Sequence, residues 1–287
     1  GARDAMLSDE ATMENKGKVF GFHRALDTAG AAVGPFAALL FLYYYPGQYK
    51  WLFIISVIPG IIAISLTFLL KDKQKHASTR KSPGFFAFLM YWKQSPKKFR
   101  FLVVGLLAFA LFNSSDAFLL LSIKSKGFSD SYMIGVYIFY NLVYALLSYP
   151  VGILADKFGL SRILILGIGV FAVVYSCMGF AVVTWHFAVL FGLYALYAAA
   201  TEGVSKALIS NIVQKDKTAT AIGFYTSFAS IFTMLASSLA GVIWYVFGMK
   251  AMFLISGTGV LCVMIYMVVI QRYVFKTVSI PESQDLK

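Results

Sequence analysis

Eight runs of about 20 apolar residues leave this chain few folds to adopt, because a run of that length matches a hydrocarbon core about 30 Å thick. To within a few residues they cover 24–45, 51–70, 101–123, 132–154, 163–183, 187–208, 221–247 and 251–270. Each reads as a membrane-spanning helix, so the expected fold class is an all-α polytopic membrane protein. Composition agrees: 59% of residues are hydrophobic and 13% charged, against about half and a quarter in soluble proteins.

The net charge of +12 could suggest nucleic acid, but its placement argues for topology. Of the 25 Lys and Arg, 20 lie in residues 1–24, 71–100 and each alternate connection after them. The opposite loops hold Lys50, Lys124, Lys126 and Lys250, and Lys206 lies inside a span. The positive-inside rule makes the first set cytoplasmic, the C-terminus included. The partner this implies is the lipid bilayer; no nucleic acid is expected.

Residues 203–224, GVSKALISNIVQKDKTATAIGF, repeat residues 1–22, GARDAMLSDEATMENKGKVFGF, at a constant offset of 202. Identities fall at Gly1/Gly203, Ala5/Ala207, Ser8/Ser210, Gly21/Gly223 and Phe22/Phe224. Both copies read as a helix end, a polar loop and an apolar helix bearing glycine. Parallel repeats of about six spans are a transporter architecture. Three spans and most of a fourth precede the second copy, and their counterpart does not precede the first. The expectation is a piece of a twelve-span protein that begins near the end of its fourth span.

The first span carries Gly21, Gly30, Gly34 and Pro35, small residues that allow close helix approach and a proline that allows bending. Tyr43, Tyr44, Tyr45 and Trp51 form an aromatic boundary. Residues 71–100 read as a basic linker followed by an aromatic run too short to span, either an interfacial helix or a packed loop. Residues 273–287 are a polar tail. Cys177 and Cys262 fall inside spans and read as buried thiols without a disulfide.

Residues 152–164, GILADKFGLSRIL, resemble the cytoplasmic hairpin signature of the major facilitator superfamily at Gly152, Asp156, Lys157, Gly159 and Arg162, with Ser161 in place of one basic residue. Gly21, Gly30, Gly34 and Pro35 are similar in spacing to a motif of its proton-linked exporters, although Ala38 and Leu39 replace the final glycines. ARDAMLSD, GFHRALDTAGAAVGP, LFNSSDAFLLL and TEGVSKAL resemble a poorly characterised bacterial branch. The resemblance implies a secondary transporter of the inner membrane, monomeric, with two bundles rocking about a midplane site. On that pattern, 1–70 hold the end of span four with spans five and six, 71–100 a linker, and 101–272 the second bundle.

Ionisable groups inside a membrane are costly and mark function. Asp116, with Asn113, Ser114 and Ser115, forms a polar cluster at mid-depth with no Lys or Arg within a turn. A carboxyl so placed can carry a proton, and the four residues are the candidate coupling and substrate cluster; hydrogen bonding within a purely structural cluster is the alternative. Glu202 and Lys206 lie four apart on one helix face. The repeat sets Asp4 opposite Lys206, so Asp4 and Lys206, supported by Arg3 and Glu202, are expected to form a gate in the outward-open form. A pair between Glu202 and Lys206 alone is the competing reading.

His23, His76 and His186 have no metal-ligand spacing, and no glycine-rich loop precedes a lysine to hold phosphate. No metal, cofactor or enzymatic centre is expected. The functional expectation is proton-coupled export of small solutes, with a nutrient importer or a non-transporting receptor or scaffold as alternatives.

Overall fold

The computed structural model describes residues 2–68 and 87–272. Gly1, most of the basic linker and the tail at 273–287 lie outside the described residues. The helices are α1 (Ala2–Glu10), α2 (Lys16–Tyr44), α3 (Tyr49–Thr67), α4 (Ala87–Gln94), α5 (Lys97–Phe112), α6 (Ala117–Ser125), α7 (Asp130–Phe158), α8 (Leu160–Met178), α9 (Thr184–Ile212), α10 (Thr218–Phe247) and α11 (Met249–Ile270). Taking α5 and α6 together, eight helices among the described residues are long and apolar enough to cross a membrane. They follow the eight runs read from the sequence.

The repeat has a structural counterpart. The helix pair α1 and α2 ends and restarts at Glu10 and Lys16, and α9 and α10 do so at Ile212 and Thr218, both boundaries displaced by the same 202 residues. Packing follows the same relation: α1 lies on α10 and α2 on α9. The most deeply buried span is α9, which packs between α7 and α8, while α11 closes against α8 and α5.

Three expectations change. The run at 101–123 is interrupted: α5 stops at Phe112, and residues 113–116 leave the helix before α6 begins. Asn and Ser side chains compete for backbone partners, and here they find them. Ser115 N donates to Ser237 Oγ at 3.0 Å, and Ser115 Oγ accepts from Ala117 N at 3.3 Å. Second, the first span begins eight residues earlier than the apolar run, at Lys16, because its polar first turn is held by another helix. Third, Cys177 and Cys262 are unpaired as expected but exposed; within a span, a side chain facing hydrocarbon needs no protein around it.

Within the aromatic run before the third span, Ala87–Gln94 form helix α4. It packs on α10, with Trp92 stacked on Phe224 at 5.5 Å between ring centroids and Tyr91 edge-on to Phe99 at 5.4 Å. Ser95 O accepts from Arg100 Nε at 3.1 Å and so fixes the turn into α5.

Candidate functional site

The α1–α2 loop, the α7–α8 turn and the α9–α10 loop meet at one end of the molecule, called here the basic end. At that end α2 crosses α7 with almost no space between backbones. A Cβ at Gly152 would lie 2.3 Å from Gly17 O and 3.3 Å from Gly21 Cα, and one at Gly21 would lie 2.5 Å from Ser148 O. Only glycine fits such an approach. Gly30 and Gly34, the other glycines of the α2 motif, have nothing within 4 Å of an added Cβ among the described residues. Gly21 is therefore the motif glycine that makes the crossing.

The close approach lets Asp156 reach the start of α2. Its Oδ1 accepts from Gly17 N and its Oδ2 from Lys18 N, both at 2.7 Å. Those amides have no partner inside their own helix, and the positive end of the helix dipole favours a carboxylate there. Asp156 comes from the hairpin motif, one turn after Gly152. Gly159 ends α7 at φ 102°, a conformation most side chains resist, and α8 begins at once. Lys157 and Arg162 are exposed beside this turn.

A second helix end is capped in the same region. Lys16, buried at 4% exposure, donates from Nζ to Ser210 O at 2.8 Å. Ser210 lies in the last turn of α9, whose carbonyls lack intrahelical partners. A cation is favoured at that end of the dipole. Thus α7 holds the start of α2, and α2 holds the end of α9.

Ion pairs cross the same seam further along the helices. Lys206 Nζ donates to both oxygens of Asp4 at 3.2 Å, joining α9 to α1. Glu202 pairs with Arg24 Nη2, and Arg24 Nε donates to Tyr144 OH at 2.6 Å, so one α2 side chain ties α9 and α7. Arg3 turns the other way, with Nη2 donating to Asp27 Oδ2 at 3.5 Å, and His23 lies 3.8 Å from the same carboxylate.

Above these pairs lies a cavity of about 480 Å³, lined by Arg24, Glu202 and Lys206 together with α5, α9 and α10. Leu106, Phe109, Ala110 and Ala229 supply its apolar wall. Hydroxyl-bearing side chains on the wall are those of Tyr197, Thr201, Ser205, Tyr225, Thr226, Ser230 and Thr233. Of the polar cluster at the α5–α6 break, Asn113 lines the cavity and donates from Nδ2 to Tyr197 OH at 2.9 Å. Ser114 is buried, its Oγ 3.2 Å from Tyr175 OH. Asp116 does not line the cavity; its Oδ1 accepts from Tyr194 OH at 2.6 Å. Tyr194 and Tyr197 are one turn apart on α9, with ring centroids 5.1 Å from each other. Asn113, Tyr197, Tyr194 and Asp116 therefore connect the cavity wall to the carboxyl behind it.

Lys16 and Arg24 were not among the candidates read from the sequence. Both precede or begin the apolar run, where basic residues read as loop charges. The signal that could have found them is the repeat, which starts α2 at the equivalent of Thr218 and so puts Arg24 two turns inside a helix.

These features define a polytopic helical membrane protein with a part-polar cavity beside a seam of helix caps and ion pairs. Residues 2–141 and 125–285 match the family model described as Major Facilitator Superfamily. The chain belongs to that superfamily. It is 30% identical over 248 residues to an uncharacterized MFS-type transporter of Methanocaldococcus jannaschii, covering 84% of this chain and 61% of that protein. The crystal structure of the human organic anion transporter MFSD10 (TETRAN) superposes with a TM-score of 0.74 at 13% identity, covering 92% of this chain and 66% of that one; this is a likeness of fold. The chain spans less than two thirds of the length of either protein.

Proposed function

We propose that the protein carrying these residues is a secondary active transporter that moves small amphiphilic solutes by alternating access, coupled to protons and directed outward. On this reading it is a monomer in the bacterial inner membrane, with the basic end and the C-terminus cytoplasmic. Residues 1–70 supply the end of span four with spans five and six, 71–100 link the bundles, and 101–272 form the second bundle. The observation that carries the reading is the seam. Every contact across it, from Asp4 to Lys206, Arg24 to Glu202, Lys16 to Ser210 and Asp156 to the start of α2, joins one proposed bundle to the other on the cytoplasmic side of the cavity.

Such a seam suits an outward-facing form. Hydrogen bonds and ion pairs are short-ranged, so a modest rotation of one bundle breaks all of them together, and the cavity then opens to the cytoplasm. Asp116 is the proposed proton carrier. It sits behind the cavity wall, and Tyr194 and Tyr197 link it to Asn113, so occupancy of the cavity can be felt at the carboxyl without the solute touching it.

The test is flux in proteoliposomes holding the protein that carries this chain. Solute addition should drive proton movement, and Asp116→Asn should abolish pH-gradient-driven transport while solute binding persists. Coupling that survives Asp116→Asn removes the proton role from Asp116. A cavity whose labelling from the two sides never changes contradicts transport itself.

A further inference from the structure

We infer that the cavity wall supplied by this chain selects uncharged solutes that carry several hydrogen-bond donors beside an apolar face, as a polyol or a glycoside does; this deepens the transporter reading and rests on it. Among the described residues, the charged side chains on the wall are already paired within the protein. Arg24 meets Glu202, and Lys206 donates to both oxygens of Asp4. A charged solute would have to break one of these pairs or enter without a counter-charge, and an unpaired charge is costly where water is excluded. An uncharged solute avoids that cost.

The rest of the polar wall is a set of oxygens whose own hydrogens are spent. A serine or threonine hydroxyl has one hydrogen to donate and two lone pairs to accept with. On α9, Thr201 Oγ1 donates to Tyr197 O at 2.9 Å and Ser205 Oγ to Glu202 O at 3.1 Å. On α10, Thr226 Oγ1 donates to Ile222 O at 3.0 Å and Ser230 Oγ to Thr226 O at 2.9 Å. Bonding back to the helix in this way leaves each hydroxyl an acceptor toward the cavity. Asn113, at the end of α5, gives an Nδ2 hydrogen to Tyr197 OH at 2.9 Å, and its Oδ1 is a further acceptor.

Acceptors from three helices thus line one space of about 480 Å³, within the size range of small-molecule sites. Water satisfies them when no solute is present. A solute that displaces the water and brings no donors leaves them desolvated and unpaired, whereas one that brings donors replaces what it removed. The acceptors cover only part of the wall. Leu106, Phe109 and Ala110 lie on one face of α5 and form an apolar strip. A ring with hydroxyls along one edge and an apolar group along the other matches both.

The experiment uses the full-length protein in nanodiscs and probes built on one sugar ring: phenyl glucoside, its analogue with fluorine in place of every hydroxyl, phenyl glucuronide, and the glucoside with a primary amine in place of its primary hydroxyl. Fluorine is close to a hydroxyl in size and donates nothing. Equilibrium binding, measured against empty nanodiscs, should favour the glucoside over the fluorinated analogue by roughly tenfold or more, at about fivefold for each ordinary hydrogen bond. The anionic and cationic probes should bind at least about tenfold more weakly than the glucoside. Thr226→Val and Ser230→Ala should each cost the glucoside about fivefold and leave the fluorinated analogue unchanged, a split that a merely structural role for these hydroxyls would not produce. Absence of glucoside binding, equal binding of the fluorinated analogue, tighter binding of either charged probe, or variants that weaken both uncharged probes alike would each overturn the inference. Donor-selective binding together with two-sided labelling of the cavity that never changes would sink the transport reading and keep the site; proton-coupled flux together with binding indifferent to donors would sink the site and leave transport standing.

Discussion

Gly152→Ala is the smallest change that should move the protein between forms. The added methyl would sit 2.3 Å from Gly17 O and 2.9 Å from Gly17 C. The obstructing atoms are backbone, so no side chain can turn aside and α2 must shift away from α7. That shift also draws Gly17 N and Lys18 N away from Asp156, now 2.7 Å from each. Overpacking of a tight interface costs about 1–3 kcal/mol, and each 1.4 kcal/mol is about a tenfold change in an equilibrium. The closed seam should therefore lose roughly 5- to 150-fold in population relative to the form in which α2 and α7 separate. The assay is alkylation of a single cysteine at Ser205, on the cavity wall, in a background with Cys177 and Cys262 replaced. In Gly152→Ala the rate from the basic end should rise by a factor in that range. Gly30→Ala and Gly34→Ala, with open space around both positions, should leave the α2–α7 crossing unchanged. If Gly152→Ala labels like the parent, the crossing is not the contact that keeps the seam closed.

Three further outcomes follow from the same contacts. Asp156→Ala removes the acceptor for two amides at the start of α2 and should cost about 0.5–2 kcal/mol of seam stability, read as faster alkylation at the Ser205 position; Asp156→Glu, if it still reaches the amides, should fall between. Lys16→Met leaves Ser210 O without its charged donor and should weaken the α2–α9 contact by roughly 1.5–3 kcal/mol, seen as a lower thermal midpoint in nanodiscs; an unchanged midpoint would make Lys16 dispensable. Lys206→Asp opposes two carboxylates and should favour the form open at the basic end. Adding Asp4→Lys should restore closure, and a double swap that labels no differently from Lys206→Asp would deny the pair any gating role. The loss in that single variant should fall below the roughly 3–5 kcal/mol typical of a fully buried pair, because the Lys206 side chain is 24% exposed.

The helices were legible because bilayer thickness sets the length of every apolar run, whatever the helices pack against. Break and seam depend on distant partners, and these run lengths do not report. Residues 113–116 sit in an apolar run, and what lets them leave the helix is Ser237, 122 residues from Ser115. Likewise the start of α2 is set by Asp156, 139 residues from Gly17, which the apolar run beginning at Arg24 does not report, so Lys16 reads from sequence as a loop cation. Asp4 and Lys206 could be paired from sequence because the repeat supplied what periodicity lacks, a relation between positions 202 apart. Exposure of the two cysteines was out of reach, since a lipid-facing and a core-facing apolar residue look the same in composition.

The most direct test of the account is the distance between spin labels at Met13 and Phe158, exposed positions beside the start of α2 and at the end of α7, in nanodiscs with and without solute. The account predicts two populations, a short one matching the closed seam and a longer one, with solute and Gly152→Ala each shifting weight to the longer. A single short distance, unmoved by solute, pH and Gly152→Ala alike, would contradict it.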